Sequence, residues 1–221
     1  QSHALDFREK APLKAHKDMF LDASGDVING LSTLGHLASG VPGSVAGMEA
    51  LHEKLGSKPW KRLLQPAIDL AQDGVVLTVG QANGMNNYKK VFQQVNGMDT
   101  PYFIKEDDSA WKEGEVFIQK DLAESLKRIR DLGAKGFYEG ETADLLVKEM
   151  NSAGGIISHE DLRQYEAIWR EAISKKYKKY QVISMPPPSS GGVALMQLLR
   201  LVEKYPLKEW GWNSANTAQV M

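Results

Sequence analysis

Residues 4–12 read Ala-Leu-Asp-Phe-Arg-Glu-Lys-Ala-Pro. Leu5 and Phe7 alternate with Asp6 and Arg8, the period of a half-buried strand. The strand is expected to stop near Pro12, which has no amide hydrogen for a ladder bond. Arg8 then stands at the end of a strand, where a fixed guanidinium fork can face a carboxylate. Spacing alone leaves a second reading open and favours it: a local ion pair with Asp6, Glu9 or Asp22. Such pairs are common and contribute little.

Outward from this stretch, the chain has the size of one domain or one and a half: 221 residues, 42% hydrophobic and 25% charged. Basic and acidic residues nearly cancel, 27 against 28, so no polybasic face points to nucleic acid. No apolar run approaches the length of a transmembrane helix, and the charged start QSHALDFREK is not read as a signal peptide. Cysteine is absent, which removes disulfides, thiol nucleophiles and thiolate metal sites together.

Residues 13–39 read as a polar connection, with a hairpin expected in DMFLDASGDVI around Ser24-Gly25. A helix is predicted from Ser44, whose hydroxyl can cap, to Gly56. A second is predicted to begin at Pro66 and end at Gly74. From 78 to 114 the pattern weakens, punctuated by glycines such as Gly97, although Tyr88, Val91, Phe92 and Val95 mark one helix face. A strand is expected at Val116-Phe117-Ile118. The clearest helix covers 119–132, with Leu122, Leu126 and Ile129 on one face, Asp121 in its first turn and Gly133 as its stop. Another covers 141–152 with Ala143, Leu146, Val147 and Met150 inward. Ser158 and Asp161 have the spacing of a capping box. EAIWREAISKKYKKYQVISM reads as two strands around a basic turn, whose lysines are a solvated edge. Pro186-Pro187-Pro188 ends that pattern. The helix 193–204 follows, with Leu195, Leu198, Leu199 and Val202 as its core side and Pro206 beyond its end.

Chemistry-bearing patterns are sparse. The five histidines are scattered, none at the i, i+4 spacing of a zinc helix, and His16 and His36 read as solvated or locally bonded. The loop Ser39-Gly40-Val41-Pro42-Gly43 could cradle an anion ahead of a helix, but it lacks a Walker lysine and a dinucleotide fingerprint; a tight turn is the better reading. Ser189-Ser190-Gly191-Gly192 has no nucleophile elbow and no evident His/Asp pair. Its serines read as cap and turn residues, with lining of a substrate cleft the lesser reading.

Five segments, in order, resemble one family: ALDFREKAP at 4–12, ASGVPGSVAGMEALHEKLG at 38–56, PWKRLLQPAIDLAQDG at 59–74, IQKDLAESLKRIRDLGAKGFYEGETADLLV at 118–147 and MPPPSSGGVALMQLLRLVE at 185–203. These are similar to the large subunit of the γ-glutamyltranspeptidases (γ-glutamyltransferases, glutathione hydrolases). The resemblance implies an α+β fold, the helix-rich part of an Ntn-hydrolase αββα sandwich that is incomplete without the small subunit, with residues 1–221 as a single partial domain. It implies that Arg8 binds the α-carboxylate of the γ-glutamyl donor.

In that family a precursor cuts itself before a threonine, which then opens the small subunit and attacks the γ-glutamyl carbonyl, with its own amine as a base. The five threonines here, at 33, 78, 100, 142 and 217, do not stand in the Thr-Thr-His context of the cleavage point. No catalytic residue is therefore expected in this chain, and the serines at 189 and 190 are not the family's oxyanion-hole serines. The chain is expected to be a piece of the large subunit, without the opening segment or the nucleophile, and inactive alone. The resemblance also implies the small subunit of the same precursor as partner, glutathione as a substrate, no metal or organic cofactor, and a periplasmic or secreted location. Two alternatives are kept: an amidase resembling the cephalosporin acylases, and a helix-rich interaction module without catalysis.

Overall fold

The computed structural model describes residues 2–96 and 103–221, so the expectations about Gly97 and Thr100 lie outside the described residues. In chain order the elements are β1 (Ala4–Asp6), α1 (Ser44–Leu55), α2 (Trp60–Asp73), β2 (Val75–Val76), α3 (Val79–Asn96), β3 (Val116–Phe117), α4 (Lys120–Leu132), α5 (Lys135–Tyr138), α6 (Gly140–Ser152), α7 (His159–Arg163), β4 (Ile168–Arg170), β5 (Ile173–Tyr177), β6 (Tyr180–Ser184), α8 (Gly191–Val202), α9 (Leu207–Trp210) and α10 (Ala215–Val220). The mixture is α+β and rich in helix. Among the described residues the strands form three antiparallel pairs: β1 with β4, β2 with β3, and β5 with β6. The chain divides into two compact units, Arg8–Glu166 and the N-terminal residues through Phe7 together with Ala167–Met221.

The Arg8–Glu166 unit is a helical assembly. Its core gathers Val41, Val45, Ile129, Tyr138, Ala143, Leu162 and Tyr165. α2 and α4 pack side by side. The Trp60 indole donates to the Ile129 carbonyl at 3.0 Å, and the Arg130 guanidinium donates to Gln65 at 2.8 Å. α4 ends at Gly133, as predicted. There φ is +68° with ψ −150°, a region essentially reserved for glycine. Glu49 of α1 closes the same corner, its carboxylate accepting the Ala134 amide at 2.7 Å.

α2 starts six residues before its predicted start. Pro66 lies inside it, giving up one helical hydrogen bond. The Trp60 anchor and the burial of Ile68 and Ala71 offset that loss. In α4 the inward residues are Ala123 and Ile129, while Leu122 is exposed. α6 buries Ala143 and Val147 with Leu146 and Met150 packed alongside, as its spacing predicted. At α1 the Ser44 hydroxyl makes no capping bond; Gly43 precedes the helix. At α7 the predicted capping box is present. The 20–28 hairpin is one bridge, Leu21 to Val27, organised by the Asp22 carboxylate, which accepts the Ser24 and Asp26 amides.

In the other unit β1 pairs with β4, Ala4 opposite Arg170 and Asp6 opposite Ile168. The Arg170 guanidinium grips Asp6 through two nitrogens, at 2.8 and 2.7 Å. The strand is shorter than predicted: it stops at Asp6 rather than near Pro12, and Phe7 is exposed, because β4 offers only three residues to pair with. β5 and β6 form the predicted hairpin around Lys178-Lys179. α8 packs on β5 and β6 through Met196 and Gly192. Of the residues predicted as its core side, Leu199 and Val202 are half-buried but Leu195 and Leu198 are exposed, as is Leu201.

Candidate functional site

Past β1 the chain loses its strand partner, and a different set of contacts holds Arg8. Two residues on, Lys10 exchanges both backbone bonds with Val41: the Val41 amide donates at 2.8 Å and the Lys10 amide at 3.3 Å. At Arg8 itself the Tyr165 hydroxyl donates to the backbone carbonyl at 2.8 Å. The segment Arg8–Lys10 is thus pinned at both ends, and its side chains project from a fixed backbone.

Tyr165 is itself rigid. Its ring stacks nearly parallel on Tyr138, centroids 5.8 Å apart at 4°. The Tyr138 hydroxyl donates to the Pro42 carbonyl at 2.8 Å and accepts the Ala46 amide at 3.3 Å. Burial is the chief reason the Tyr138 phenol is pushed up to about 12; the Ala46 amide opposes it, while Tyr165 and Glu49 add to it. On the other face of Tyr165 the Lys10 ammonium sits 4.9 Å from the ring centroid and donates to the Glu166 carbonyl at 3.0 Å. Just upstream, the buried Asp161 carboxylate accepts the Leu13 amide at 2.6 Å and the Ser158 amide and hydroxyl at 2.7 and 2.6 Å. Burial alone would raise its pKa, but the Ser158 hydroxyl and the Leu13 and Ser158 amides outweigh it, and the net shift is downward.

The Arg8 side chain is 59% exposed and its Nε donates to Glu9 at 3.3 Å. Of the three acids offered by spacing, Glu9 pairs with Arg8, Asp6 is gripped by Arg170, and Asp22 accepts amides of its own turn. An exposed pair of this kind is weak. The planar fork of the half-exposed guanidinium is suited to a ligand carboxylate. Gly40 lies against the Glu9 side chain: a Cβ there would sit 2.9 Å from the Glu9 Cγ and 3.3 Å from the Lys10 carbonyl oxygen. The loop 39–43 therefore meets the Arg8 segment as a tightly packed turn.

Ser190 precedes α8 without a side-chain capping bond, and Ser189 closes a turn on the Pro186 carbonyl, so the predicted cap is not made. The hydroxyls of Thr33, Thr78, Thr142 and Thr217 each bond within their own turn, cap or helix contact. His36 reaches Glu149 at 2.9 Å, a long-range partner rather than a local one, and His159 reaches Asp144 at 2.8 Å. Among the described residues no group of three or more His, Cys, Asp or Glu gathers as a metal site, and no helix is long and apolar enough to cross a membrane. Sequence reasoning singled out Arg8 but not Tyr165, Lys10 and Gly40 as its frame. Tyr165 follows a well-capped helix, and that was its only local signal.

Comparison with known proteins finds relatives of the chain. The sequence profile described as Gamma-glutamyltranspeptidase matches residues 1–221. The chain is 45% identical over 211 residues, 96% of its length, to a protein of Pseudomonas sp. (strain A14) named glutathione hydrolase proenzyme, and covers 36% of that protein. It is 41% identical over 218 residues, 99% of its length, to the protein of that name in Escherichia coli (strain K12), covering 37% of it. The crystal structure of Helicobacter pylori gamma-glutamyltranspeptidase superposes with a TM-score of 0.93 at 45% identity, over 98% of this chain and 62% of that one. The chain thus spans a little over a third of the length of the curated relatives it matches.

Proposed function

This chain belongs to the γ-glutamyltranspeptidase family, whose Ntn-hydrolase fold its helix-rich α+β architecture shares in part, and from that premise we propose that it is a portion of a γ-glutamyltransferase large subunit in which Arg8 receives the α-carboxylate of the donor. In this reading residues 1–221 are one partial domain of an enzyme that cleaves γ-glutamyl amide bonds, glutathione among them, and passes the acyl group to water or an amine. The small subunit of the same precursor supplies the attacking threonine and is the partner of this chain. Autocatalytic cleavage produces the two subunits. The enzyme works in the periplasm or outside the cell and needs no metal or organic cofactor.

The observation that supports this reading best is the accessible Arg8 guanidinium on a doubly pinned backbone. The reacting threonine must meet the γ-carbonyl at one end of the donor, so a fork holding the α-carboxylate at the other end sets the register of the substrate. Water or an acceptor amine resolves the acyl-enzyme afterwards.

Arg8→Lys in the complete, processed enzyme tests the assignment. A point charge cannot reproduce a bidentate fork, and loss of charge-assisted hydrogen bonds of this kind is expected to weaken donor affinity about tenfold to a hundredfold. Unchanged affinity in steady-state kinetics would remove Arg8 from the site. Intact masses of the incubated precursor test the processing: two fragments are expected, the smaller beginning at a threonine. Turnover of glutaryl but not γ-glutamyl amides would move the protein to the acylase-like alternative.

A further inference from the structure

We infer that Tyr165 is a positioning residue for donor recognition, acting through the backbone of Arg8; the inference rests on the reading of Arg8 as the carboxylate-binding group. The geometry is specific. The phenol donates to the Arg8 carbonyl at 2.8 Å across 157 positions of sequence, from a side chain that is nearly fully buried. That bond sets the plane of the peptide joining Arg8 to Glu9, and with it the direction in which both side chains leave the backbone. The Lys10–Val41 bridge fixes the far end of the segment. Gly40 fixes its flank, since the approach to Glu9 leaves no room for a methyl group.

The clamp continues inward. Tyr165 cannot tilt without breaking its stack on Tyr138, and Tyr138 is tied to the Pro42 carbonyl and the Ala46 amide at the start of α1. On the outer face Lys10 covers the ring. A guanidinium on a long flexible stem makes a useful carboxylate receptor only when its root is fixed. Tyr165 supplies that fixation at the residue itself, where β1 no longer can.

Tyr165→Phe keeps the ring, the stack and the lysine contact, and removes only the hydroxyl. The test uses the complete processed enzyme and two donors: a γ-glutamyl amide with its free α-carboxylate, and the same compound with that carboxylate converted to a primary amide. The hydroxyl's hydrogen bond is expected to be worth about three- to tenfold. KM for the carboxylate donor should rise by that factor, with the loss falling on KM rather than kcat. The preference for carboxylate over carboxamide should narrow correspondingly. An equal decline for both donors, or none for either, would overturn the positioning role. Arg8→Lys is measured beside it. If that variant leaves the preference intact, the reading of Arg8 fails; if it collapses the preference while Tyr165→Phe does not, only the positioning role fails. Should the Tyr165→Phe precursor not mature, Gly40→Ala carries the test, because it displaces the same segment from its other side and should give the same narrowed preference.

Discussion

Asp161 ties the N-terminal segment to a helix that begins almost 150 residues later. Its carboxylate takes three donors, two from the α7 cap and one from Leu13. Asp161→Asn replaces one acceptor oxygen with a donor that must face an N–H or O–H. About 2 kcal/mol of stability should be lost, read as a lower urea midpoint near neutral pH. The pH dependence follows from the direction of the shift. The native carboxyl titrates below its ordinary 3.8, so its contribution is fully present above that value and is lost as pH falls through the native pKa. The gap between wild type and Asp161→Asn should therefore close in acid. Tyr138 works at the other end of the scale. With its phenol raised from 10 to about 12, its contribution is complete below pH 10 and declines as the pH rises toward 12, because the unfolded chain ionises first. Tyr138→Phe should flatten the alkaline limb of the stability curve.

At the scale of elements, the corner between α4 and α5 depends on one glycine. A Cβ at Gly133 would meet the Glu49 carboxylate at 2.1 Å, and the backbone there is already in a region that penalises side chains. Gly133→Ala should cost about 2–3 kcal/mol by thermal or denaturant unfolding, of which Glu49→Ala relieves only the steric part. This corner was legible in advance because a glycine after an amphipathic run is a local signal. So was the α7 cap, where Ser158 and Asp161 satisfy each other within one turn. The start of α2 was not legible. Proline usually marks a first turn, but here the Trp60 indole, bonded to a carbonyl 69 residues away, sets the boundary. The frame of Arg8 escaped for the same reason. Arg8 stood out through the motif around it, whereas Tyr165 is joined to it only by the fold. The α8 face expected as core follows a correct helical period, but only Leu199 and Val202 of it are half-buried, while Leu195 and Leu198 are exposed.

At the scale of the molecule, the unit that contains α8 carries an open apolar surface. Leu198 and Leu201 are 59% and 64% exposed, beside a cleft of about 550 Å³ lined by Ile173, Val193, Met196, Arg200 and Leu201. Contiguous apolar surface of this kind is unusual on a finished protein. The isolated chain is expected to enhance the fluorescence of an apolar dye, and Leu198→Glu with Leu201→Glu to diminish it. The same pair of changes in the complete precursor should lower the yield of processed enzyme if the small subunit covers this surface.

The pairing of β1 with β4 has a bearing on how the protein is made. Ala4 finds Arg170 only after the whole Arg8–Glu166 unit has been translated. The helices between them rely mostly on near neighbours and can settle as they leave the ribosome, whereas β1 must wait for its partner until the β4 residues emerge. Residues translated ahead of the Arg8–Glu166 unit are thus paired only after it. The turn of chain that carries Arg8 can take its final form only once Tyr165 has been translated.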